Sequence, residues 1–303
     1  MVTPCRGSSG AAREIGTLCG EAMAYVPTVR GRRLAHEIRR IREAAGLSGE
    51  QAARLAGWDQ SKISRMENAR MRITSGEVME LCEIYTVTAE ERTELVRLAR
   101  EARRQGWWHP YRAVLKTGFT QFLGFEAEAA TYRGYDAQVI PGLFQTGDYA
   151  RAVLLGSRQV SSEEADRAVR VRLGRQARLT AGTSPLNVWQ IVEEAALRRV
   201  VGGPAIMRAQ LRRLLELGEL ANVSLQVLPF TAGVHAAIDG SFVLLTFDGY
   251  PDVLYLEHLM GCVYLEEPEE TRRATLVFDH LRASALNTGD SANLIRDMTD
   301  SLV

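Results

Sequence analysis

Apolar residues in the first third of the chain repeat with the spacing of an α-helix. Leu34, Ile38, Ile41 and Ala45 stand at i, i+4, i+7 and i+11, which is one face of an amphipathic helix. Gly46 ends this pattern, and four further helical segments follow it. They are predicted over residues 48–56, 60–68, 75–85 and 89–104. The pattern therefore predicts five helices in succession.

Capping signals mark the starts of the second and third of these helices. Ser48 followed three residues later by Gln51 is a capping box that starts the second helix. Gly57 and Trp58 form a tight turn, after which Asp59 can cap the third helix. Two short helices joined by a glycine-centred turn, behind a longer amphipathic helix, have the layout of a helix-turn-helix motif.

The pattern changes in the second part of the chain. Gly106 and Pro110 interrupt the helical period, and helices are predicted over 119–132, 147–155 and 161–180. Short apolar or alternating runs typical of strands follow, with a strongly helical segment, 205–220, between the first two. These runs are 186–192, 223–228, 242–247, 253–258 and 262–265, and closing helices are predicted over 269–285 and 291–302.

Together these patterns predict three regions. Residues 1–30, rich in Gly, Ser and Ala without a sustained period, are expected to be a mostly disordered extension, with order beginning near Val29. An all-α five-helix module is predicted over 31–104. An α/β module, with a mixed sheet and flanking helices, is predicted over 107–303.

Several classes of protein are excluded by composition. No apolar run approaches the roughly 18 residues of a membrane span, which argues against an integral membrane protein. The N-terminal segment has no uninterrupted apolar stretch of the kind found in a signal peptide. The four cysteines lie far apart without C-x-x-C spacing, so neither a zinc site nor a disulfide framework is expected. A cytoplasmic protein is the expectation.

The net charge of zero is the sum of opposite net charges in two segments of the chain. Residues 30–72 hold eleven basic and five acidic side chains, a net charge of +6, and residues 73–303 carry the compensating −6. A basic module joined to an acidic one suits a protein that binds a polyanion and has a second, different task. A solvated basic helix surface is the alternative interpretation of the charge alone.

Residue types in the third predicted helix fit recognition of DNA bases. Ala53 is small where two helices cross, and Ile63 and Met66 supply a buried face. The opposite face carries side chains able to pair with bases in the major groove, which are Gln60, Ser61, Lys62 and Arg65. Three further residues are placed to contact DNA phosphates, namely Ser64, Arg70 and Arg72. A helical-bundle corner, or a helix-turn-helix used to dock a protein, remains as an alternative.

This stretch, LSGEQAARLAGWDQSKISRMENAR, resembles the Xre/lambda-repressor family of five-helix DNA-binding domains. The resemblance covers about residues 31–104 and implies a buried structural ion pair between Arg42 and Glu67, double-stranded DNA as partner, and a homodimer. Two positions depart from the family pattern. Gly49 stands where many relatives carry Gln, and Ala69 stands where Gly is frequent, so a left-handed backbone at Ala69 would cost roughly 1 kcal/mol.

Phrases in the second module resemble a C-terminal domain of unknown function in actinobacterial regulators. They include QVIPGLFQTGDYARA over 138–152, GGPAIMRAQLRRLL over 202–215 and VLPF over 227–230. Such regulators include WhiJ-like developmental regulators and antitoxin-like regulators encoded beside a small partner protein. The resemblance therefore implies a module that senses a ligand or binds a partner.

The residues of the second module provide no catalytic constellation. There is no G-x-S-x-G motif, and the five histidines are scattered, so no catalytic residue, metal or cofactor is expected. The loop over 231–241 is long enough to form a binding rim. An aromatic group over 107–125 can line a pocket or join the two modules. Five arginines spaced over 167–178 form a face that is either solvated or directed at an acidic partner or DNA.

These observations predict a non-enzymatic, sequence-specific transcription regulator that binds DNA as a dimer and binds a regulatory partner or ligand through its C-terminal domain. The alternative is an antitoxin-like interaction protein, controlled by or neutralising a small protein encoded next to it. No membrane partner is expected.

Overall fold

The computed structural model describes residues 28–103, 106–116, 118–157, 160–180, 182, 184–259 and 261–302. Most of the predicted N-terminal extension, residues 1–27, lies outside the described residues. The first helix begins at Val29, where order was expected to begin, so residues 29 and 30 belong to that helix. We call residues 28–103 the head and residues 106–302 the body.

Five helices form the head, which confirms the predicted all-α module. They are α1 (Val29–Ala44), α2 (Gly49–Leu55), α3 (Gln60–Glu67), α4 (Ser75–Ile84) and α5 (Ala89–Glu101). Three of the four predicted apolar positions of α1, Leu34, Ile38 and Ile41, are buried in a core shared with the other four helices. The fourth, Ala45, is exposed and follows the last residue of the helix. The Ser48–Gln51 capping box at the start of α2 is present, as are equivalent boxes at the starts of α4 and α5.

The body is built on one six-stranded mixed sheet, which confirms the predicted architecture. Its strands are β1 (Thr131–Asp136), β2 (Asn187–Glu193), β3 (Val223–Leu228), β4 (Phe242–Phe247), β5 (Tyr250–His258) and β6 (Gly261–Leu265). The order across the sheet is β3-β2-β1-β4-β5-β6. The pairs β3–β2 and β2–β1 are parallel, and the remaining three pairs are antiparallel.

Helices cover both faces of this sheet. They are α6 (Phe119–Glu128), α7 (Gly147–Ser157), α8 (Ser162–Arg175), α9 (Ala177–Thr180), α10 (Glu194–Arg198), α11 (Pro204–Gly218), α12 (Pro268–Ser284) and α13 (Thr288–Ser301). Tyr132 and Val192 lie in the larger core, with apolar side chains of α6, α7, α11 and α13. Tyr135 and Ile191 lie in a second core, with Phe278 of α12. Successive strand residues thus serve opposite faces.

The central strand β1 corrects one sequence expectation. A helix was expected over 119–132, but α6 ends at Glu128 and β1 runs through Thr131–Asp136 between β2 and β4. The segment TYRGYD has a glycine and three polar residues among six, so its pattern is weak. A Cβ on Gly134 would lie 2.5 Å from Oε1 of Gln190, so glycine is needed to admit that neighbouring side chain.

The first turn of α1 is packed into the body. Val29 is 5% exposed and belongs to the core of the body. Nη2 of Arg30 lies 2.6 Å from Oε1 of Glu128, and Arg32 pairs with Glu266. The guanidinium of Arg32 also lies 5.2 Å from the ring centroid of Phe125. One rigid helix therefore belongs to the head and the body at once.

The predicted aromatic group divides between two roles. Phe122 and Phe125 are buried in the core of the body, with Phe119 packed against it. Phe125 lies beside the guanidinium of Arg32, and a Cβ on Gly124 would lie 3.6 Å from Val29 and 3.9 Å from Trp108. The aromatic residues near the junction therefore help to join the head to the body, as one of the two interpretations expected.

The predicted arginine face of α8 and α9 is solvated only in part, because Arg170 is exposed and Arg175 is buried. Nε of Arg175 lies 2.6 Å from Oε2 of Glu126, and both side chains are buried. Arg172 donates to Gln145, and Arg167 donates to the carbonyl oxygen of Pro110 at 3.2 Å. The guanidinium of Arg170 lies 5.9 Å from the Tyr111 ring centroid, and Arg178 donates to two backbone carbonyls. Each of these cations therefore contacts another segment of the body.

Candidate nucleic-acid interface

Helices α2 and α3 cross closely because the residues between them are small. Ala52 and Ala53 of α2 are 0% and 2% exposed. Gly57 adopts a positive φ of 65° in the turn, a conformation that glycine takes without steric cost. On α3, Ile63 and Met66 are fully buried, which fixes the helix by its inner face. The outer face of α3 is thereby presented to solvent.

Four of the predicted DNA-contacting residues form one exposed row on α3. The exposed row consists of Gln60, Ser61, Ser64 and Arg65. At its start, Oδ1 of Asp59 accepts a hydrogen bond from the backbone N–H of Ser61 at 2.7 Å, which caps the helix. Nε of Arg65 donates to the carbonyl oxygen of Ser61 at 3.3 Å, so its side chain lies along the helix surface.

The remaining predicted phosphate contacts follow α3 in the chain. Arg70 and Arg72 are both exposed in the segment that leads to α4. They lie beyond the C-terminal end of α3, whereas Gln60 and Ser61 lie at its N-terminal end. A duplex that places the N-terminal end of α3 in its major groove has phosphates on either side of that groove. Arg70 and Arg72 thus lie apart from the N-terminal end of α3, whereas Ser64 lies within the exposed row.

Lys62 lies on α3 but does not belong to the exposed row, because its side chain is only partly exposed. Its Nζ lies 2.9 Å from Oε1 of Glu77 on α4 and 3.6 Å from the ring centroid of Trp58. Burial raises the pKa of Glu77, but hydrogen bonds from Thr74 and Lys62 outweigh that effect, and the pKa lies below its ordinary value. Lys62 therefore connects α3 to α4 in this structure, and the helical period alone did not reveal its partners.

The pair that the family resemblance implied is present and bidentate. Nε of Arg42 lies 2.6 Å from Oε1 of Glu67, and Nη2 lies 2.8 Å from Oε2. The third nitrogen, Nη1, donates to the carbonyl oxygen of Leu47 at 2.7 Å. The side chains are 11% and 9% exposed. Hydrogen bonding to Glu67 raises the pKa of Arg42, and the pair joins α1 to the end of α3.

Ala69 has the left-handed backbone that the sequence comparison anticipated, with a φ of 51°. A residue with a Cβ loses roughly 1–2 kcal/mol in this region, whereas glycine adopts it freely but is more disordered when unfolded. We expect Ala69→Gly to raise the free energy of unfolding of the head by up to about 1 kcal/mol. Urea denaturation measures it, with Ala45→Gly as control.

Ala45 is a suitable control because it ends α1 with a φ of −74°, which every residue adopts. Ala45→Gly is therefore expected to lower the free energy of unfolding by about 0.5–1 kcal/mol. If Ala69→Gly lowers stability as much as Ala45→Gly does, backbone strain at Ala69 is absent.

Two polar groupings in the body were not found by sequence reasoning. At the ends of the parallel strands, the Tyr135 hydroxyl donates to Oε2 of Glu193 at 2.7 Å. His235, from the predicted binding-rim loop, lies with Nε2 3.4 Å from that hydroxyl and 3.8 Å from Oε1 of Glu193. These residues are up to 100 positions apart in the chain, and no local motif marks them.

The second grouping surrounds Asp136 at the end of β1. Nε2 of Gln190 donates to Oδ2 of Asp136 at 3.1 Å. Burial raises the pKa of Asp136 to about 7, and the nearby charge of Glu257 acts in the same direction. The described residues contain no cluster of three or more His, Cys, Asp or Glu side chains suited to a metal ion.

Comparison with known families agrees with this division of the chain. Residues 33–95 match the family model described as "Helix-turn-helix domain", and residues 119–297 match the one described as "Domain of unknown function (DUF5753)". No curated protein and no solved structure matches the chain. Among the helices that the structure describes, none has both the length and the apolar character needed to span a bilayer. Because the second model covers more than half of the sequence, the chain belongs to the DUF5753 family and carries a helix-turn-helix domain in front of that domain.

Proposed function

We propose that this protein is a sequence-specific, DNA-binding transcription regulator of the Xre type that reads its operator with α3. The observation that carries the proposal is the exposed row on a helix anchored by Ile63 and Met66. Gln pairs bidentately with adenine and Arg with guanine, at about 1–3 kcal/mol of discrimination for each good pair. We propose that it acts as a regulator without catalysis.

Within this proposal the DNA contacts have separate tasks. Gln60, Ser61 and Arg65 read bases, whereas Ser64, Arg70 and Arg72 contact phosphates and give affinity without sequence preference. Lys62, counted with the base-reading residues on sequence grounds, is assigned a positioning task, because its pairing with Glu77 and Trp58 fixes α3 against α4.

Substitutions in α3 test these assignments. A binding site is first selected from random DNA with the wild-type protein. Arg65→Ala is then expected to weaken binding to that site by roughly 5–150-fold and to relax preference at one base pair, since one bidentate contact is lost. Binding to unrelated DNA changes far less. Fluorescence anisotropy measures the affinities, and footprinting measures the protected bases.

Lys62→Ala provides the matched comparison on the same helix. Its loss is expected to lower the thermal stability of the head and to leave base preference unchanged. If Arg65→Ala protects the same bases with unchanged affinity, α3 is not the reading helix. If Lys62→Ala changes which base is preferred, Lys62 reads DNA after all.

We further propose that the protein binds DNA as a homodimer and that the body binds a regulatory partner or ligand. Paired heads would contact half-sites spaced by about 34 Å or a multiple of it. The loop after β3 supports a binding task, because Val234 and Ile238 are 88% and 64% exposed there. The resemblance to antitoxin-like regulators suggests a small protein encoded next to this one as partner.

Two measurements separate these possibilities. Light scattering of the full chain gives the oligomeric state, and a monomer both free and on DNA contradicts the homodimer. Co-purification of the full chain with the product of the adjacent small gene tests the antitoxin-like function. A stable complex whose formation is prevented by Val234→Asp supports binding at the loop, and the absence of a complex contradicts the antitoxin-like function.

A further inference from the structure

A cleft of about 760 Å³ lies between the head and the body. Its volume is within the 300–1,000 Å³ typical of small-molecule sites. One wall is formed by α1 and the end of α3, and the other by the starts of β5 and α12. Arg32, Arg39 and Arg70 line the head wall, and Tyr250, Glu266 and Glu267 line the body wall.

The charges on the two walls have opposite signs. The basic side chains Arg32, Arg39 and Arg70 all belong to the head, and both acids of the body wall, Glu266 and Glu267, face them. The one acid on the head wall is Glu67, which Arg42 already neutralises. The cleft is therefore polarised from a basic head wall to an acidic body wall.

Most of these charges already have partners, and two do not. Arg32 pairs with Glu266, which also accepts a hydrogen bond from the Tyr250 hydroxyl at 2.5 Å. Arg39 pairs with Glu43. Within the described part of the chain, the side chains of Arg70 and Glu267 form no hydrogen bond or ion pair, and both residues are exposed. An unpaired cation and an unpaired anion thus line opposite walls of one cleft.

A third observation concerns Arg32, which lines the cleft. Nε of Arg32 is buried and, among the described residues, has no hydrogen-bond acceptor. A buried donor without an acceptor costs roughly 1–3 kcal/mol, which an added acceptor can recover. Because this nitrogen is shielded from solvent, it is the exposed guanidinium of Arg70 that a ligand in the cleft can reach.

We propose that this cleft binds a small amino-acid-like zwitterion, with its carboxylate on Arg70 and its ammonium on Glu267. A molecule with a single charge would satisfy one wall and leave the other unpaired. A zwitterion satisfies both, and a volume of about 760 Å³ accommodates a free amino acid or a short peptide. A free amino acid and a short peptide both present one carboxylate and one ammonium group.

Binding at this cleft is coupled to DNA, a consequence that rests on the proposed function. Arg70 is one of the proposed phosphate contacts, and a carboxylate held by Arg70 both occupies it and places negative charge near the DNA backbone. The zwitterion therefore weakens DNA binding. By thermodynamic reciprocity, DNA weakens binding of the zwitterion by the same factor.

Isothermal titration calorimetry of the full chain without DNA tests the site itself. The probes are the twenty free amino acids and trialanine, each at up to 10 mM, and the two blocked forms N-acetyl-trialanine and trialanine amide. At least one zwitterionic probe is expected to bind, and the N-acetyl and amide forms of that same probe, trialanine or amino acid, to bind at least tenfold more weakly. Binding of free amino acids but not of trialanine identifies a free amino acid as the ligand, and the reverse result identifies a short peptide.

Variants of the two unpaired residues complete the test. Arg70→Ala and Glu267→Gln are each expected to weaken binding of the zwitterion at least tenfold. The controls are Arg72→Ala and Glu269→Gln, exposed neighbours of like charge that do not line the cleft, and both are expected to bind normally. No binding by any zwitterion, equal binding by blocked forms, or equal losses in the controls overturns the proposal.

The coupling is measured separately by fluorescence anisotropy on the selected DNA site. Saturating zwitterion is expected to weaken DNA binding by the wild-type protein at least fivefold and to leave DNA binding by Glu267→Gln unchanged. Unchanged DNA affinity of the wild type overturns the coupling. Because the calorimetry uses no DNA, failure of the proposed DNA recognition and failure of the cleft site give different results.

Discussion

Replacing Arg42 by alanine is expected to lower the free energy of unfolding of the head by about 3–5 kcal/mol. The substitution leaves the carboxylate of Glu67 buried without its partner, and it also removes the hydrogen bond to the carbonyl oxygen of Leu47. A buried charge without a counter-ion loses its hydration, and no electrostatic attraction compensates for that loss. A small domain with a stability of 5–15 kcal/mol loses a large part of it.

Hydrogen exchange measured by mass spectrometry reports the effect in the head separately from the body. The matched control is Arg39→Ala, one turn earlier on α1, whose pair with Glu43 leaves both side chains more than half exposed. Such a pair contributes about 0–1 kcal/mol. If Arg42→Ala and Arg39→Ala change protection of the head equally, the buried pair is not what stabilises it.

The body is expected to lose stability as the pH rises from about 4 to 7. Burial raises the pKa of Asp136 from its ordinary 3.8 to about 7, so the folded protein holds a proton there that the unfolded chain has released. Stability falls with pH wherever the folded state binds more protons. A shift of about three units corresponds to about 4 kcal/mol, lost progressively and complete above pH 7.

Asp136→Asn separates this carboxyl from every other titrating group. Asparagine keeps an oxygen for the hydrogen bond from Gln190 but does not ionise. The variant is expected to be more stable than the wild type at pH 8, by a margin that shrinks as the pH falls towards 4, as measured by urea unfolding across that range. Asp248→Asn, at an exposed position, is the control. A pH profile unaltered by Asp136→Asn contradicts a raised pKa.

The head was predictable because its determinants are local. The spacing from Leu34 to Ala45, the Ser48–Gln51 capping box and the glycine turn at Gly57 each act within a few residues. The exposed row follows from the helical period once Ile63 and Met66 are placed inside. The parallel β2–α11–β3 unit was predictable for the same reason, since its apolar runs are strong.

The features that escaped prediction depend on distant residues. β1 is a strand because β2 and β4 pair with both of its edges, and Asp136 owes its pKa to burial among elements that the chain reaches later. The helical period placed Lys62 near the exposed face, but Glu77 on α4 and the ring of Trp58 hold it elsewhere. Contacts between residues far apart in the chain cannot be predicted from the local hydrophobic period of the sequence.

The packing of the first turn of α1 into the body has a consequence for the order of biosynthesis. The partner of Arg32 is Glu266, which the ribosome adds 234 residues later. At about 5–20 residues per second, that interval is roughly 10–50 s. During this interval the newly made head is stabilised by its own core and by its contacts with α6. The pair between Arg32 and Glu266 is therefore the last of these contacts between head and body to form.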